Sequence, residues 1–210
     1  MARNIPRVGF DFDGVVAYNP LRVFRRPVMM VAKLFRREKE SLHFPYPKSS
    51  LVKWFWERAH RTSFFPSRGF SRLRELLGRG DIEGYIITGR YAFLNDELYD
   101  WLRHNKVDGL FKHIYVNMND EQPHLFKERM IKKLNLDYFV EDNWDIVQYL
   151  NSKFKIKSSR QITNSNVQNS KQNGEHIEIH WIYNILDKFN TYPHKHPYLE
   201  SFLNEITGKK

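Results

Sequence analysis

Short apolar runs, several of which end in acidic or other polar residues, recur along the chain. Most are rich in Val, Ile, Tyr and Phe, which is typical of strands buried in a sheet. They lie at 7–12, 84–87, 112–116, 138–140 and 176–183. The pattern predicts a strand at each position.

Apolar residues recur at helical spacing in the segments between these runs and after the last of them. The predicted helices lie near 71–77, 94–105 and 123–134, with a closing helix at 197–206. Because strands and helices alternate, we predict an α/β fold with a Rossmann-like parallel sheet and helices on both faces.

Residues 18–69 interrupt this alternation after the first strand. A basic amphipathic helix is predicted from Pro27, since proline suits the first helical position. A second helix is predicted to begin at Ser49 or Ser50, which would cap it, and to run through Trp54. The segment is therefore expected to form a small, mostly helical cap.

The chain of 210 residues is long enough for one core domain with an inserted module. We predict a core of 1–17 and 70–210 around the cap at 18–69. Within the core, 158–175 is rich in Ser, Asn, Gln and Lys, and this composition predicts a mobile loop.

The chain contains no cysteine, which excludes disulfides, thiolate zinc sites and cysteine nucleophiles. No apolar signal core precedes the first predicted strand, and no window approaches the roughly 18 apolar residues of a membrane span. We therefore expect a cytoplasmic protein.

The net charge of +10 is concentrated in one part of the chain. Residues 18–80 contain 15 basic and 4 acidic residues, whereas the remainder contains 19 and 20. An electropositive cap would attract an anionic substrate, a nucleic acid or an anionic lipid surface.

Acidic residues follow two of the predicted strands. Asp11 and Asp13 come at the end of the first, and Glu141 and Asp142 come at the end of the run at 138–140. Carboxylates are costly to bury without a cation, so two such clusters are best explained by a shared metal ion. Oxygen ligands favour Mg²⁺.

Four short motifs appear in order along the chain: Asp-Phe-Asp-Gly-Val at 11–15, Thr-Gly-Arg at 88–90, Lys127 at the start of a Lys-rich helix, and Val-Glu-Asp-Asn at 140–143. In this order and spacing, the chain resembles the haloacid dehalogenase (HAD) superfamily of phosphotransferases. The resemblance implies a HAD-like core carrying a phosphate-transfer site at the carboxyl ends of its strands.

The resemblance also implies roles for the acidic residues. Asp11 would attack phosphorus and form an aspartyl phosphate, and Asp13 would protonate the leaving oxygen and then activate water. Mg²⁺ would be held by Asp11, the Asp13 backbone carbonyl and Asp142, with Glu141 as a direct or water-mediated ligand.

The remaining motif residues would bind the transferring phosphoryl group. Thr88 and Gly89 would contribute a hydroxyl and backbone amides, and Lys127 an ammonium group. Within the superfamily, an acid at position 13 favours a phosphatase over a phosphomutase. The implied activity is hydrolysis of a phosphomonoester.

Simpler interpretations of these residues remain open at this point. Lys127 lies in a Lys-rich stretch and is also consistent with a surface lysine, with Lys132 or Lys133 as substitutes. Thr88 could act only as a cap, and Arg90 is as consistent with a surface charge as with a substrate contact.

Four histidines near the carboxyl end invite a metal interpretation: His176, His180, His194 and His196. We expect no metal site there, because no paired carboxylate or cysteine accompanies them. Asn143 is expected to cap the helix that begins at Trp144.

The cap is expected to select the substrate. Its basic residues, including Arg22, interleave with aromatics such as Trp54, which suits a nucleobase and its phosphate. The chain also resembles the 5′(3′)-deoxyribonucleotidase branch, so the predicted substrate is a nucleoside monophosphate.

Three alternatives to nucleotide recognition remain. The aromatic residues could simply pack the cap onto the core while its charges are solvated. The substrate could be a sugar phosphate or another small phosphorylated metabolite. The cap could instead dock on nucleic acid or an anionic membrane, on a HAD-like frame with little or no catalysis.

Overall fold

The computed structural model describes residues 5–20, 42–60, 63–160 and 177–208. Its main feature is a six-stranded sheet in the order β5-β4-β1-β6-β7-β8, in which every pairing is parallel. The strands of this sheet are β1 (Arg7–Phe10), β4 (Glu83–Tyr91), β5 (His113–Asn117), β6 (Tyr138–Glu141), β7 (Glu178–Ile182) and β8 (Lys195–His196). Two further short strands, β2 (Ala17–Tyr18) and β3 (Phe65–Pro66), form a separate antiparallel pair.

Six α-helices are found in the described part of the chain. They are α1 (Ser50–His60), α2 (Phe70–Gly78), α3 (Asn95–His104), α4 (Pro123–Leu134), α5 (Trp144–Arg160) and α6 (Leu199–Ile206). None of these helices is long and apolar enough to cross a bilayer.

The sheet separates two apolar clusters because successive side chains of a strand point to opposite faces. On one face, Phe10 packs with residues of α2, α3 and α6, such as Phe202. On the other, Phe139 packs with residues of α4 and α5, such as Met130 and Leu150. The predicted α/β fold with helices on both faces is confirmed.

Most predicted elements are present with bounds that move by one or two residues. The exception is β4, which continues to Tyr91 through the Thr-Gly-Arg motif and changes register with β5 between Thr88 and Tyr91. The two-residue strands β2, β3 and β8 were not predicted because such short segments carry no periodicity.

The inserted segment is described in part. Helix α1 agrees with the helix predicted from Ser49 or Ser50, while the helix predicted from Pro27 lies outside the described residues. The polar loop was predicted from 158, but α5 continues to Arg160, so that boundary is wrong. Residues 161–176 lie outside the described residues. The division into core and cap at 18 and 69 stays a prediction.

Candidate active site

Three acidic residues from two neighbouring strands meet at the carboxyl end of the sheet. Asp11 follows β1, and its backbone N–H donates to the Val140 carbonyl at 2.9 Å, which holds it beside β6. Asp11, Glu141 and Asp142 are buried, and each offers a carboxylate oxygen within 4.8 Å of the other two. The structure therefore brings together these three residues of the predicted metal site.

Lys127 projects from α4 into the same group of carboxylates. Its Nζ lies 3.0 Å from Asp11 Oδ1 and donates a hydrogen bond to Glu141 Oε2 at 2.6 Å. Burial acts to lower the pKa of Lys127, but Asp11 and Glu141 outweigh it and raise that pKa above its ordinary value. The alternative of a surface lysine is wrong, because Lys127 is buried.

Among the described residues, two from distant parts of the chain hold the Asp13 side chain. Arg90 at the end of β4 donates two hydrogen bonds to its carboxylate, each 2.7 Å long. The Ser63 hydroxyl donates a third, also 2.7 Å long, from the inserted segment just before β3. Arg90 is buried, so the surface-charge alternative is wrong; a contact with substrate stays a prediction.

Thr88 and Gly89 lie on β4 next to this group. The Thr88 side chain is buried, and its Oγ1 accepts a hydrogen bond from the Arg90 backbone N–H at 3.2 Å. A Cβ at Gly89 would lie 2.7 Å from the Cβ of Pro123, so glycine is needed for α4 to approach β4. Their predicted binding of phosphate stays a prediction, and the packing of Gly89 is an additional role.

Gly14 allows Asp142 to approach the turn after β1. Its φ is +83°, in the left-handed region that favours glycine, and a Cβ there would lie 2.3 Å from Asp142 Oδ2. On the opposite side, the Trp181 indole N–H donates to the Asp142 carbonyl at 3.2 Å. The Asp-Gly turn therefore fixes one of the predicted metal ligands.

Acidic side chains dominate the described part of this site. Among the described residues, Lys127 contacts the carboxylates of Asp11 and Glu141, and Arg90 contacts that of Asp13. Burial, reinforced by the neighbouring carboxylates, raises the pKa of Asp11 well above its usual value despite the opposing effect of Lys127. The close grouping of the Asp11, Glu141 and Asp142 carboxylates and their all-oxygen donor set fit a divalent cation such as Mg²⁺.

Helix α1, which belongs to the predicted cap, carries exposed aromatic side chains. Helix α1 presents Trp54, which is 49% exposed, with the Arg58 guanidinium 5.4 Å from the centre of its ring. On another side of α1, Trp56 packs against Tyr91 at the end of β4, with ring centroids 6.1 Å apart. Arg22, the other predicted substrate contact in the cap, lies outside the described residues.

Sequence reasoning missed Ser63 in the site, because a single serine in an insertion carries no signal of its own. The expectation for Asn143 is confirmed, since its Oδ1 accepts from the Asp145 backbone N–H at 3.0 Å and caps α5. The expectation that no carboxylate accompanies the histidines is wrong, since Glu178 lies beside His180 and His194. The remaining histidine of that group, His176, lies outside the described residues.

The parallel sheet, its helices and the acidic residues at the strand ends define a HAD-like fold, and solved structures agree. One such structure is a HAD-hydrolase of Bacillus subtilis, YfnB, in a magnesium-bound form. The alignment has a TM-score of 0.54 and 11% identity, and it covers 98% of this chain and 100% of that one.

A second neighbour is CbbY from Rhodobacter sphaeroides, in complex with phosphate. It aligns with a TM-score of 0.50 and 11% identity over 93% of this chain and 95% of that one. No sequence-family model matches the chain, and no curated protein matches it. At these identities the likeness establishes the fold, and it does not single out the nucleotidase branch.

Proposed function

We propose that the protein is a Mg²⁺-dependent phosphatase that hydrolyses a small phosphomonoester through an aspartyl-phosphate intermediate on Asp11. The observation that carries this proposal is the convergence of Asp11, Lys127, Glu141 and Asp142 in one buried cluster at the carboxyl end of the sheet. Ligands of open α/β sheets bind at this end. The HAD-like fold of both neighbours supports the same reaction class.

Asp11 is suited to act as the nucleophile. In the first step, a carboxylate oxygen of Asp11 forms a bond to phosphorus while the bond from phosphorus to the leaving oxygen breaks. Lys127 lies 3.0 Å from Asp11 Oδ1, so its ammonium can bind the phosphoryl oxygens next to the attacking atom. Bound Mg²⁺ would be held by Asp11, the Asp13 carbonyl and Asp142, with Glu141 nearby, and would neutralise charge on the phosphoryl oxygens.

Asp13 is proposed to protonate the leaving oxygen and later to accept a proton from water, and its contacts affect both steps. The bidentate contact with Arg90 and the hydrogen bond from Ser63 both favour an ionised carboxylate. This state can accept a proton from water as the water oxygen bonds to phosphorus and the bond from phosphorus to the Asp11 oxygen breaks. Delivery of a proton to the leaving oxygen requires Asp13 to take up a proton and its contact with Arg90 to loosen first.

The proposed substrate class is a nucleoside monophosphate. Trp54 exposes an aromatic face beside the Arg58 cation. Any of the nucleobases can stack on such a face. The excess of basic residues in 18–80 would attract the anionic substrate. Sugar phosphates and other small phosphorylated metabolites are the competing class.

Phosphate release from a panel of phosphomonoesters, with Mg²⁺ or with EDTA, tests this proposal. Asp11→Asn should lower kcat by at least about 10⁴-fold, because the amide oxygen is a poor nucleophile. Asp108→Asn, an exposed acidic residue elsewhere, should leave turnover unchanged.

Equal turnover by the wild type and Asp11→Asn would contradict the assigned nucleophile. Salt-dependent binding to DNA, RNA or anionic vesicles without any phosphate release would instead support an interaction module. Release from sugar phosphates but not from nucleotides would retain the enzyme and change its substrate.

A further inference from the structure

A group of histidine and glutamate side chains lies at the edge of the sheet formed by β7 and β8. Glu178 and His180 are two positions apart on β7, so their side chains point to the same face of the sheet. His194 immediately precedes β8. Their ligand atoms lie within 4.8 Å of one another. None of these residues takes part in the proposed phosphatase site.

The His180 side chain contains a buried ring nitrogen that indicates a ligand at this position. Its ring is completely buried, and its Nε2 has no hydrogen-bond partner among the residues that the structure describes, although Glu178 Oε2 lies 3.4 Å away. An unpartnered polar atom inside a protein costs free energy, so this nitrogen requires an explanation. A cation between the two atoms would satisfy both.

The other nitrogen of the ring indicates which atom would bind the cation. His180 Nδ1 lies 2.9 Å from His196 Nε2, which is a hydrogen-bond distance. When the His180 Nδ1–H donates a hydrogen bond to His196 Nε2, the Nε2 atom of His180 carries no proton. Its lone pair is then available to a ligand beside Glu178. Metal-binding histidines usually donate a hydrogen bond from their second ring N–H in this way, which fixes the tautomer.

We propose that Glu178, His180 Nε2 and His194 Nδ1 form a binding site for Zn²⁺ that is separate from the Mg²⁺ site. The nitrogen atoms of His180 and His194 lie 3.4 and 3.9 Å from Glu178 Oε2. Tetrahedral zinc with bonds of about 2.0–2.1 Å separates its donors by about 3.3 Å, so small movements would complete the geometry. Two imidazoles and one carboxylate form a donor set that zinc prefers over Mg²⁺.

The state of the histidines and the accessibility of the group fit this assignment. The His180 ring is completely buried, and burial favours the neutral imidazole that a metal ligand requires. His194 is only partly buried, so the ion can enter from solvent and water can occupy a fourth position. The His194 carbonyl accepts from the Trp181 backbone N–H at 2.8 Å, which ties this ligand to β7.

An alternative set is less favourable for the same ion. His180 Nδ1, His196 and Glu205 also lie close together, but the 2.9 Å separation of the two nitrogens already accommodates a shared proton. Glu205 is also more exposed, and its carboxylate lies 3.9 Å from His196. His196 is therefore assigned as the residue that positions His180.

Zinc binding by the full-length chain, stripped with EDTA and kept in excess Mg²⁺, tests the proposal. The wild type should bind one Zn²⁺ per chain and gain thermal stability. Glu178→Gln and His194→Ala should each weaken binding by roughly 100-fold or more, and both replace partly exposed side chains. His104→Ala, an exposed histidine at the end of α3, is the matched control and should bind as the wild type does.

Two further measurements keep the test decisive. Asp142→Asn should bind Zn²⁺ normally, which separates this site from the phosphatase site and from the fate of the proposed function. In wild-type protein loaded with Co²⁺ in excess Mg²⁺, two histidines should show paramagnetically shifted NMR signals. Absent zinc binding, binding that both ligand variants leave intact, or no shifted histidine signals would each overturn the proposal.

Discussion

The carboxyl end of the sheet and helix α1 differ in how deeply their side chains are buried. At the strand ends, Asp11 and Glu141 are buried, and both pair with the buried Lys127 of α4. On α1, by contrast, Trp54 and Phe55 are largely exposed. The residues proposed for chemistry are fixed before substrate arrives, whereas those proposed for recognition remain open to solvent.

This difference has a physical basis. Charges aimed at a reacting group are most effective when buried and already oriented, since no reorganisation is then required during the reaction. Aromatic faces that stack on a ligand must stay accessible until the ligand binds. Changes at the strand ends should therefore alter turnover and stability strongly, and changes on α1 should alter substrate affinity more weakly.

Removal of Lys127 should produce the largest effect on folding. Lys127→Ala would leave Asp11 and Glu141 buried together without their cation, and breaking a buried ion pair costs about 3–5 kcal/mol. Urea unfolding in EDTA should show this loss. Lys133→Ala, an exposed lysine on the same helix, should change stability by no more than about 0.5 kcal/mol.

Equal stability of these two lysine variants would show that the carboxylates do not need Lys127, and the contrast between the two regions would then weaken. Phosphate release should follow the same order, because Lys127 is also proposed to hold phosphoryl oxygens. A Lys127→Ala protein that folds stably and turns over normally would contradict both roles.

Gly14 tests whether the approach of Asp142 matters for metal binding rather than for folding alone. Gly14→Ala and Gly80→Ala both place a side chain at positive φ, at a cost of about 1–2 kcal/mol each. Only at position 14 would the new Cβ meet another residue, the Asp142 carboxylate. The Mg²⁺ concentration for half-maximal activity should rise about 10-fold or more in Gly14→Ala alone.

If Gly80→Ala raises the Mg²⁺ requirement as much as Gly14→Ala does, general destabilisation explains the effect. Calorimetric titration of Mg²⁺ into both variants separates the two explanations, since it does not depend on turnover.

The parts of the fold and site that the sequence predicts are those encoded locally. Buried strands and their acidic ends lie in short, contiguous motifs, and parallel pairing then brings Asp11 beside Glu141 and Asp142. The contact between Arg90 and Asp13 spans 77 positions, and Ser63 reaches Asp13 from the insertion. These two contacts depend on the packing of separate segments, which no local pattern specifies.

The histidine group could be predicted from the sequence only in part. Glu178 and His180 are two positions apart in a strand-like run, so the sequence already places them on one face. What it lacks is the pairing of β7 with the two-residue strand β8, which aligns Ile182 with His196 and places His194 nearby. A strand this short has no periodicity from which to predict it.

Trp54 should give the smallest effect and the most direct test of the open cap. If a base stacks on its ring, Trp54→Ala should raise KM for a nucleoside monophosphate about 2- to 12-fold, since aromatic pairs contribute about 0.5–1.5 kcal/mol beyond buried area. Its kcat should hardly change, because the ring takes no part in phosphoryl transfer. Val52→Ala, a partly exposed apolar residue on the same helix, is the control and should leave KM unchanged. Comparison of KM for a nucleotide and a sugar phosphate completes the test. An equal rise of KM for both substrates would contradict base stacking on Trp54. A fall in kcat would show that Trp54 contributes to turnover, as the strand-end residues are proposed to do.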